Sequence, residues 1–279
     1  MEKSRLKIAL SMLSWQTGDV IADTWFSVLR EREALERAGH EALAIAIDNG
    51  STDGSAETLE RSKVHHSVVM RLPSNVGNAK ARNKAIDLAM REQFDMLLFL
   101  DGDIEMIPGS AVYLAQTLKA EPDTSYCVGF WSMGQSRFRE KVTPEIKPDA
   151  VFERAYNRWE CAWTQYGMFR VKAFQQGLRF HDAYGPGWGW EDDDLHMQMR
   201  TRAIAGDAVS LHGVTYLHRN WHSSWDALRA SGVDPRDEYE KRKAVFLGRW
   251  SGIEPSHPAW HKITSCHEAR FPREQEAII

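Results

Sequence analysis

Carboxylates in tight groups are the first chemistry this chain offers. Phe99-Leu100-Asp101-Gly102-Asp103 sets two of them two residues apart, directly after an apolar run. Such a pair at a strand end can reach one cation. Oxygen donors of this kind suit Mg²⁺ or Mn²⁺, with substrate phosphates completing the shell. Glycine between them lets a ligand approach the backbone. The same letters spell an ordinary Asp-Gly turn, and the apolar strand and the companion motifs decide for chemistry. The second group is Trp188-Gly189-Trp190-Glu191-Asp192-Asp193-Asp194-Leu195. Four successive carboxylates repel one another, and a helix N-terminus offsets that by a few tenths to about 1 kcal/mol each. An acidic cap would account for the carboxylates alone. It does not account for the preceding tryptophans and glycines. Aromatic faces backed by flexible glycines hold sugar rings, and an adjacent carboxylate can take the proton of a hydroxyl nucleophile.

Three further groups extend the set. From the loop Asp48-Asn49-Gly50-Ser51-Thr52-Asp53, Asp48 would accept hydrogen bonds from a nucleobase or ribose, although a turn into a capped helix reads the same way. In Asn75-Val76-Gly77-Asn78-Ala79-Lys80-Ala81-Arg82-Asn83, Gly77 precedes a helix start whose N–H groups can meet an anion. Arg82, one turn in, would face the nucleotide. Late in the chain, His218 and His222 follow an apolar run. His218 is the expected metal ligand beside Asp103, with His222 and Asp101 in reserve. Gly185-Pro186-Gly187-Trp188-Gly189 is no dinucleotide fingerprint, because a pyrophosphate there would meet Glu191–Asp194, and the first turn of the chain lacks GxGxxG.

The elements that must carry these groups alternate in the first half. Strands are expected at Lys7–Ser14, Ala42–Ile47, Val68–Arg71 and Met96–Leu100. Helices are expected at Thr24–Ala38, Ser55–Arg61, Asn78–Met90 and from Pro108 to Lys119. Continuous apolar strands alternating with helices predict an α/β fold, with a mostly parallel sheet covered on both faces. Ligands then bind beyond the carboxyl ends of the strands, so the loops at Asp48 and Asp101 should meet on one edge. The second half is less regular. Arg137–Arg158 reads as a loop-rich excursion, Gln165–Val171 and Ala208–Leu217 as strands, Glu191–Thr201 and Asp237–Trp250 as helices. One domain over 1–222 is expected, dividing at about 130; the resemblance drawn from the motifs makes its first half the nucleotide-sugar half and the part from 131 the acceptor half. A helical extension over 223–279 follows.

Composition excludes several classes. The chain has 279 residues, 43% hydrophobic and 27% charged, which is ordinary for a globular protein. A net charge of -4 argues against holding nucleic acid by the overall field. Cys127, Cys161 and Cys266 form no CxxC pair, so a disulfide framework or cysteine zinc site is not expected, and a cytoplasmic, reducing location is. The apolar run Ile8–Leu13 is short and lacks a clear cleavage site. No stretch approaches the roughly 20 apolar residues of a membrane span.

Taken together, the segments resemble the inverting nucleotide-sugar glycosyltransferases of the GT-A fold, family 2 and its relatives, over roughly Lys7 to His222. Asp48–Asp53 is similar to their nucleotide-binding loop, Asn75–Asn83 to their N-x-G-x-x-x-A-R-N segment, and Asp101–Asp103 to their D-x-D metal motif. Trp188–Leu195 is similar to the W-G-x-E-D-D-D stretch of the β-1,4-galactosyltransferases. The resemblance implies metal-dependent transfer of one sugar from a nucleoside-diphosphate sugar, UDP-linked by expectation, to a hydroxyl with inversion. It implies Asp192 as base and Glu191 orienting hydroxyls. Asp48 would bind the base, with Asn75, Gly77, Arg82, Asp101, Trp188 and Trp190 around the donor. Asp103 and His218 would hold Mn²⁺ or Mg²⁺. Asn49 stands where a second acidic residue is often found. The expected acceptor is a glycan or lipid-linked saccharide, with a hydroxylated DNA base as the alternative. A sugar-phosphate nucleotidyltransferase would need a glycine-rich, basic loop where Ser14–Asp19 stands. An inactive carbohydrate-binding module would have no use for Asp103 and Asp192.

Overall fold

The computed structural model describes residues 5–120, 122, 126–129, 165–187, 189–201, 209–211, 216–218 and 223–253. The strands are β1 (Lys7–Ser14), β2 (Glu41–Asp48), β3 (Ser67–Arg71), β4 (Met96–Asp101), β5 (Ile104–Met106), β6 (Tyr126–Gly129), β7 (Tyr166–Arg170), β8 (Val209–Leu211) and β9 (Tyr216–His218). The helices are α1 (Ile21–Arg37), α2 (Ser55–Arg61), α3 (Asn78–Arg91), α4 (Ser110–Ala120), α5 (Val171–Gln175), α6 (Glu191–Thr201), α7 (Ser223–Ala230) and α8 (Pro235–Trp250). The main sheet runs β3-β2-β1-β4-β7-β6-β8, and β5 pairs with β9 beside it. Strands β3, β2, β1 and β4 are mutually parallel, whereas β7 runs against both β4 and β6.

Strand pleating sorts the apolar residues into two cores. Ile8, Leu10 and Met12 of β1, with Met96, Leu98 and Leu100 of β4, pack on α1 and α4. Their alternates Ala9, Leu13, Leu97 and Phe99 pack on α3, α5, α6 and α8. Side chains of successive residues point to opposite faces, so a strand covered on both sides must be apolar throughout. That is why β4 reads as an unbroken apolar run.

Three expectations change. The run Ala208–Leu217 is not one strand: β8 joins the edge of the main sheet and β9 pairs with β5. The three-residue strand β5 is too short for a period of two to show, and β6, α5 and α7 were not foreseen either. Helix α8 is no appendage, because its Tyr239, Phe246 and Trp250 lie in the same core cluster as α3 and β4. The excursion at 137–158 and the tail from 254 lie outside the described residues.

Sheet register levels the functional edge. Ser14 pairs with Asp48 on one side of β1, and Leu13 pairs with Asp101 on the other. Neighbouring strands are about 4.8 Å apart, so the two aspartates flank the end of β1 at roughly 10 Å backbone separation.

Candidate active site

Asp48 closes β2 and is fully buried. Its Oδ2 accepts from the Ser51 amide at 3.1 Å, while Oδ1 accepts no hydrogen bond from the described residues. The loop it opens is tied on two sides. Ser51 Oγ accepts from the Gln16 amide at 3.0 Å, and Gln16 Oε1 accepts from the Thr52 amide at 2.8 Å. Asn49 Nδ2 donates to Asn75 Oδ1 at 3.0 Å, and Asn49 Oδ1 accepts from the Val76 amide. Asn75 Oδ1 also accepts from the Gly77 amide at 2.9 Å. Asn75 and Gly77, expected around the donor, are thus engaged in joining the loop after β2 to the start of α3.

Asp101 closes β4, with Asp103 just beyond it. Arg82 of α3 donates to Asp101 Oδ1, and its guanidinium lies 5.4 Å over the Phe99 ring. Phe99 itself meets Phe169, Phe174 and Phe180 edge-on, so Arg82 stands on a rigid aromatic floor. Asp103 is buried, and burial first, then the nearby Asp101 and Asp19 carboxylates, push its carboxyl well above the usual carboxylate range. Gly102 serves a purpose other than the expected one. A Cβ there would come within 3.0 Å of the Leu13 carbonyl and of the Ser14 Cα, so what its missing side chain admits is the end of β1.

Helix α6 opens with the four carboxylates, and their environments differ sharply. Glu191, Asp193 and Asp194 are buried, whereas Asp192 is half-exposed. Glu191 Oε1 accepts from Asn78 Nδ2 of α3 at 3.1 Å, and its Oε2 accepts nothing from the described residues. Asp194 is a structural anchor. It accepts from Arg249 Nε, Trp250 Nε1 and Gln198 Nε2, each at 2.8 Å.

Helix α3 brings the two acidic groups together. Asn78 holds Glu191 and Arg82 holds Asp101. These two helical residues are four apart, and hence share one face about 6 Å along the axis. A further contact joins the same regions. Gly77 (φ 87°) has no room for a Cβ, which would overlap the Gly185 carbonyl.

Residues 184–186 are gripped by α8. Arg242 of α8, itself buried, donates to the Tyr184 and Pro186 carbonyls and, at 3.4 Å, to Gly185. Trp190 takes a left-handed φ of 72°, and its buried ring lies 4.8 Å from Phe246 and 5.5 Å from Tyr239. That backbone costs a non-glycine residue about 1–2 kcal/mol. Aromatic pairs worth about 0.5–1.5 kcal/mol each offset it. The Trp190 ring is therefore core and does not face outward as a sugar platform. Arg242, Asn78 and the anchoring role of Asp194 were missed by reading the sequence. Arg242 sits in a helix of mixed charge and carries no local signal at all.

Trp188 and His222 lie outside the described residues. For His218 only the backbone is described: it pairs with Ile104, the residue after Asp103. Among the described residues no three His, Cys, Asp or Glu side chains group to hold a metal ion. No helix among them is long and apolar enough to cross a membrane.

The family described as Glycosyl transferase family 2 matches residues 15–189, more than half of the chain, from the loop after β1 to the turn before α6. The chain belongs to that family. This glycosyltransferase matches no curated protein. Solved structures share its fold. TarS 1-349 of S. aureus in complex with UDP-GlcNAc aligns with a TM-score of 0.56 at 16% identity, over 95% of this chain and 81% of that one. The mannosyltransferase PcManGT of Pyrobaculum calidifontis, in complex with GDP-Man and Mn²⁺, gives 0.56 at 13%, over 96% and 81%. Glucosyl-3-phosphoglycerate synthase of Mycobacterium tuberculosis, in complex with Mn²⁺, UDP and glucosyl-3-phosphoglycerate, gives 0.58 at 17%, over 90% and 82%. At these identities the likeness is one of fold.

Proposed function

We propose that this family 2 glycosyltransferase moves one sugar from a UDP-sugar to a hydroxyl of a glycan or lipid-linked saccharide, with inversion and with Asp192 as base. The observation that carries the reading is the joining of Asp101 and Glu191 to one face of α3, through Arg82 and Asn78. It links the strand end where a nucleotide sits to the helix start where a hydroxyl would lose its proton.

Each residue then has a task. Asp48 Oδ1, buried at the strand end without a partner among the described residues, offers an acceptor to the N–H of a base. Asp101 and Asp103, with His218 beside them in register, would hold Mn²⁺ or Mg²⁺, which supplies positive charge to the departing diphosphate. Two carboxylates crowded at one strand end, with Asp19 adding negative field, support that reading. The half-exposed Asp192 accepts the hydroxyl proton as oxygen attacks the anomeric carbon from the face opposite the leaving group. Negative charge is favoured at a helix N-terminus. Proton removal must therefore run late, concerted with bond formation.

Asp192→Asn tests this. Transfer should fall by about 10²–10⁴-fold, the usual worth of a general base. UDP binding in Mn²⁺, followed by calorimetry, should stay at the wild-type value. Wild-type turnover by the variant would remove Asp192 from the mechanism.

A further inference from the structure

We propose that α8 is part of the catalytic apparatus, with Arg242 as a positioning residue that clamps the 184–187 turn and so aims Asp192. The proposal rests on the reading of Asp192 as base, and it concerns a part of the chain beyond residue 189, where the family match ends.

Contacts from α8 to the few residues before and within the acidic helix start carry it, with one ion pair inside α8 supporting them. Arg242 spreads its guanidinium over three successive carbonyls, those of Tyr184, Gly185 and Pro186. Glu238, one turn earlier on α8, stands 3.5 Å from the same guanidinium. Gly187 (φ 138°) has no side chain because a Cβ would overlap that guanidinium. Tyr239 and Phe246 enclose the Trp190 ring, and Arg249 and Trp250 hold Asp194. Residues 239, 242, 246, 249 and 250 follow the spacing of one helical face, so a single rigid element grips both sides of Asp192.

The logic is one of strain and geometry. Trp190 immediately precedes Glu191 and is held in a left-handed backbone. Such a conformation persists only where the surroundings over-determine it, and it sets the direction in which the helix leaves the turn. On the opposite side the Gly185 carbonyl is pressed against Gly77, just before α3. The turn is therefore a wedge between α3, which also holds the nucleotide-side aspartate through Arg82, and α8. Loosening α8 should displace Asp192 relative to the donor while leaving Asp48, Asp101 and Asp103 in place. The expected signature is a loss in kcat with little change in donor KM. A planar fork is needed to reach three carbonyls, and a lysine ammonium satisfies them only in part.

The experiment compares wild type with Arg242→Met, Arg242→Lys and, as a control on the exposed face of α8, Leu247→Ala. Two readouts are taken: steady-state kinetics with a UDP-sugar panel in Mn²⁺, and amide hydrogen exchange of peptides covering 184–192. Arg242→Met should lower kcat by about 100-fold, the scale of a misplacement of roughly 1 Å. Donor KM should stay within about threefold. Exchange should rise in 184–192 but not in β1 or β4. Arg242→Lys should fall between, and Leu247→Ala should match wild type. Unchanged kcat and exchange in Arg242→Met would overturn the proposal. So would a parallel loss of kcat and KM with faster exchange across β1 and β4, which marks a merely structural residue. If Arg242→Met does not fold, Gly187→Ala, which crowds the clamp from the turn side, is held to the same outcomes. If wild type transfers from no UDP-sugar, the proposed function fails, and the exchange pattern alone then upholds or overturns the clamp.

Discussion

Substituting Gly77 by alanine tests whether the two halves of the site truly meet. Two costs arise at that position. The φ of 87° with ψ 155° is a backbone region essentially reserved for glycine, which costs another residue at least about 1–2 kcal/mol. The new methyl also overlaps the Gly185 carbonyl, and overpacking of that kind costs about 1–3 kcal/mol. Together they predict a loss of about 2–5 kcal/mol. At roughly 2–4 °C per kcal/mol for a domain near this size, the melting temperature should fall by roughly 4–20 °C. Gly39→Ala is the control for a positive φ without a clash. Its φ is 88°, and nothing lies within 4 Å of the position a Cβ would take. The further loss in Gly77→Ala, about 1–3 kcal/mol from the clash, reports the contact between the start of α3 and the turn. The assay is urea unfolding of both variants, followed by transfer activity under native conditions. Gly77→Ala should also lose activity, because parting α3 from the turn strains the Asn78–Glu191 bond. Equal unfolding free energies for the two variants, with full activity in both, would refute the convergence of the two acidic groups.

Three further outcomes are expected. Asp194→Ala leaves Arg249 and Trp250 without their buried acceptor, and since Arg249 keeps 24% side-chain exposure the cost should lie near the low end for a broken buried pair, about 3 kcal/mol, read as a shift in urea midpoint. Glu31, fully buried, accepts from the Gly109 and Ala111 amides at the start of α4, and burial raises its carboxyl above the ordinary value of 4.5. Below 4.5 the group is protonated in both states. As pH rises past 4.5 the unfolded chain ionises first, so wild type loses stability until the folded-state pKa is passed, and Glu31→Gln should lack that decline above pH 4.5. Excess EDTA should stop sugar transfer and added Mn²⁺ or Mg²⁺ should restore it, followed by UDP release. Full activity in EDTA would refute the role given to Asp103.

The legible part of this protein was the part encoded locally. Strands β1 and β4 declare themselves because both faces of the sheet are covered, which forces unbroken apolar runs such as Met96–Leu100. Asp48 and Asp101 were placed together because parallel strands bring their carboxyl ends to one edge, as the register with Ser14 and Leu13 bears out. The glycines misled. Gly102 reads as an opening for a ligand and the glycines before Trp190 as flexible backing for a sugar platform, yet Gly102, Gly187 and Gly189 make room for β1, Arg242 and Tyr239. A glycine states that something comes close and is silent on what.

The sequence by itself determined the α/β alternation, the strand ends that carry aspartates, and the acidic helix start. Those features depend on neighbours within a turn or a strand. Tertiary structure decided the separate placements of four adjacent carboxylates: Asp194 buried against α8, Glu191 bonded to α3, Asp193 enclosed, Asp192 half-buried. Helical rotation turns successive side chains by 100°, so adjacent residues of one chemical type face different surroundings. Which surroundings those are depends on residues more than 50 positions away, and no local pattern records them.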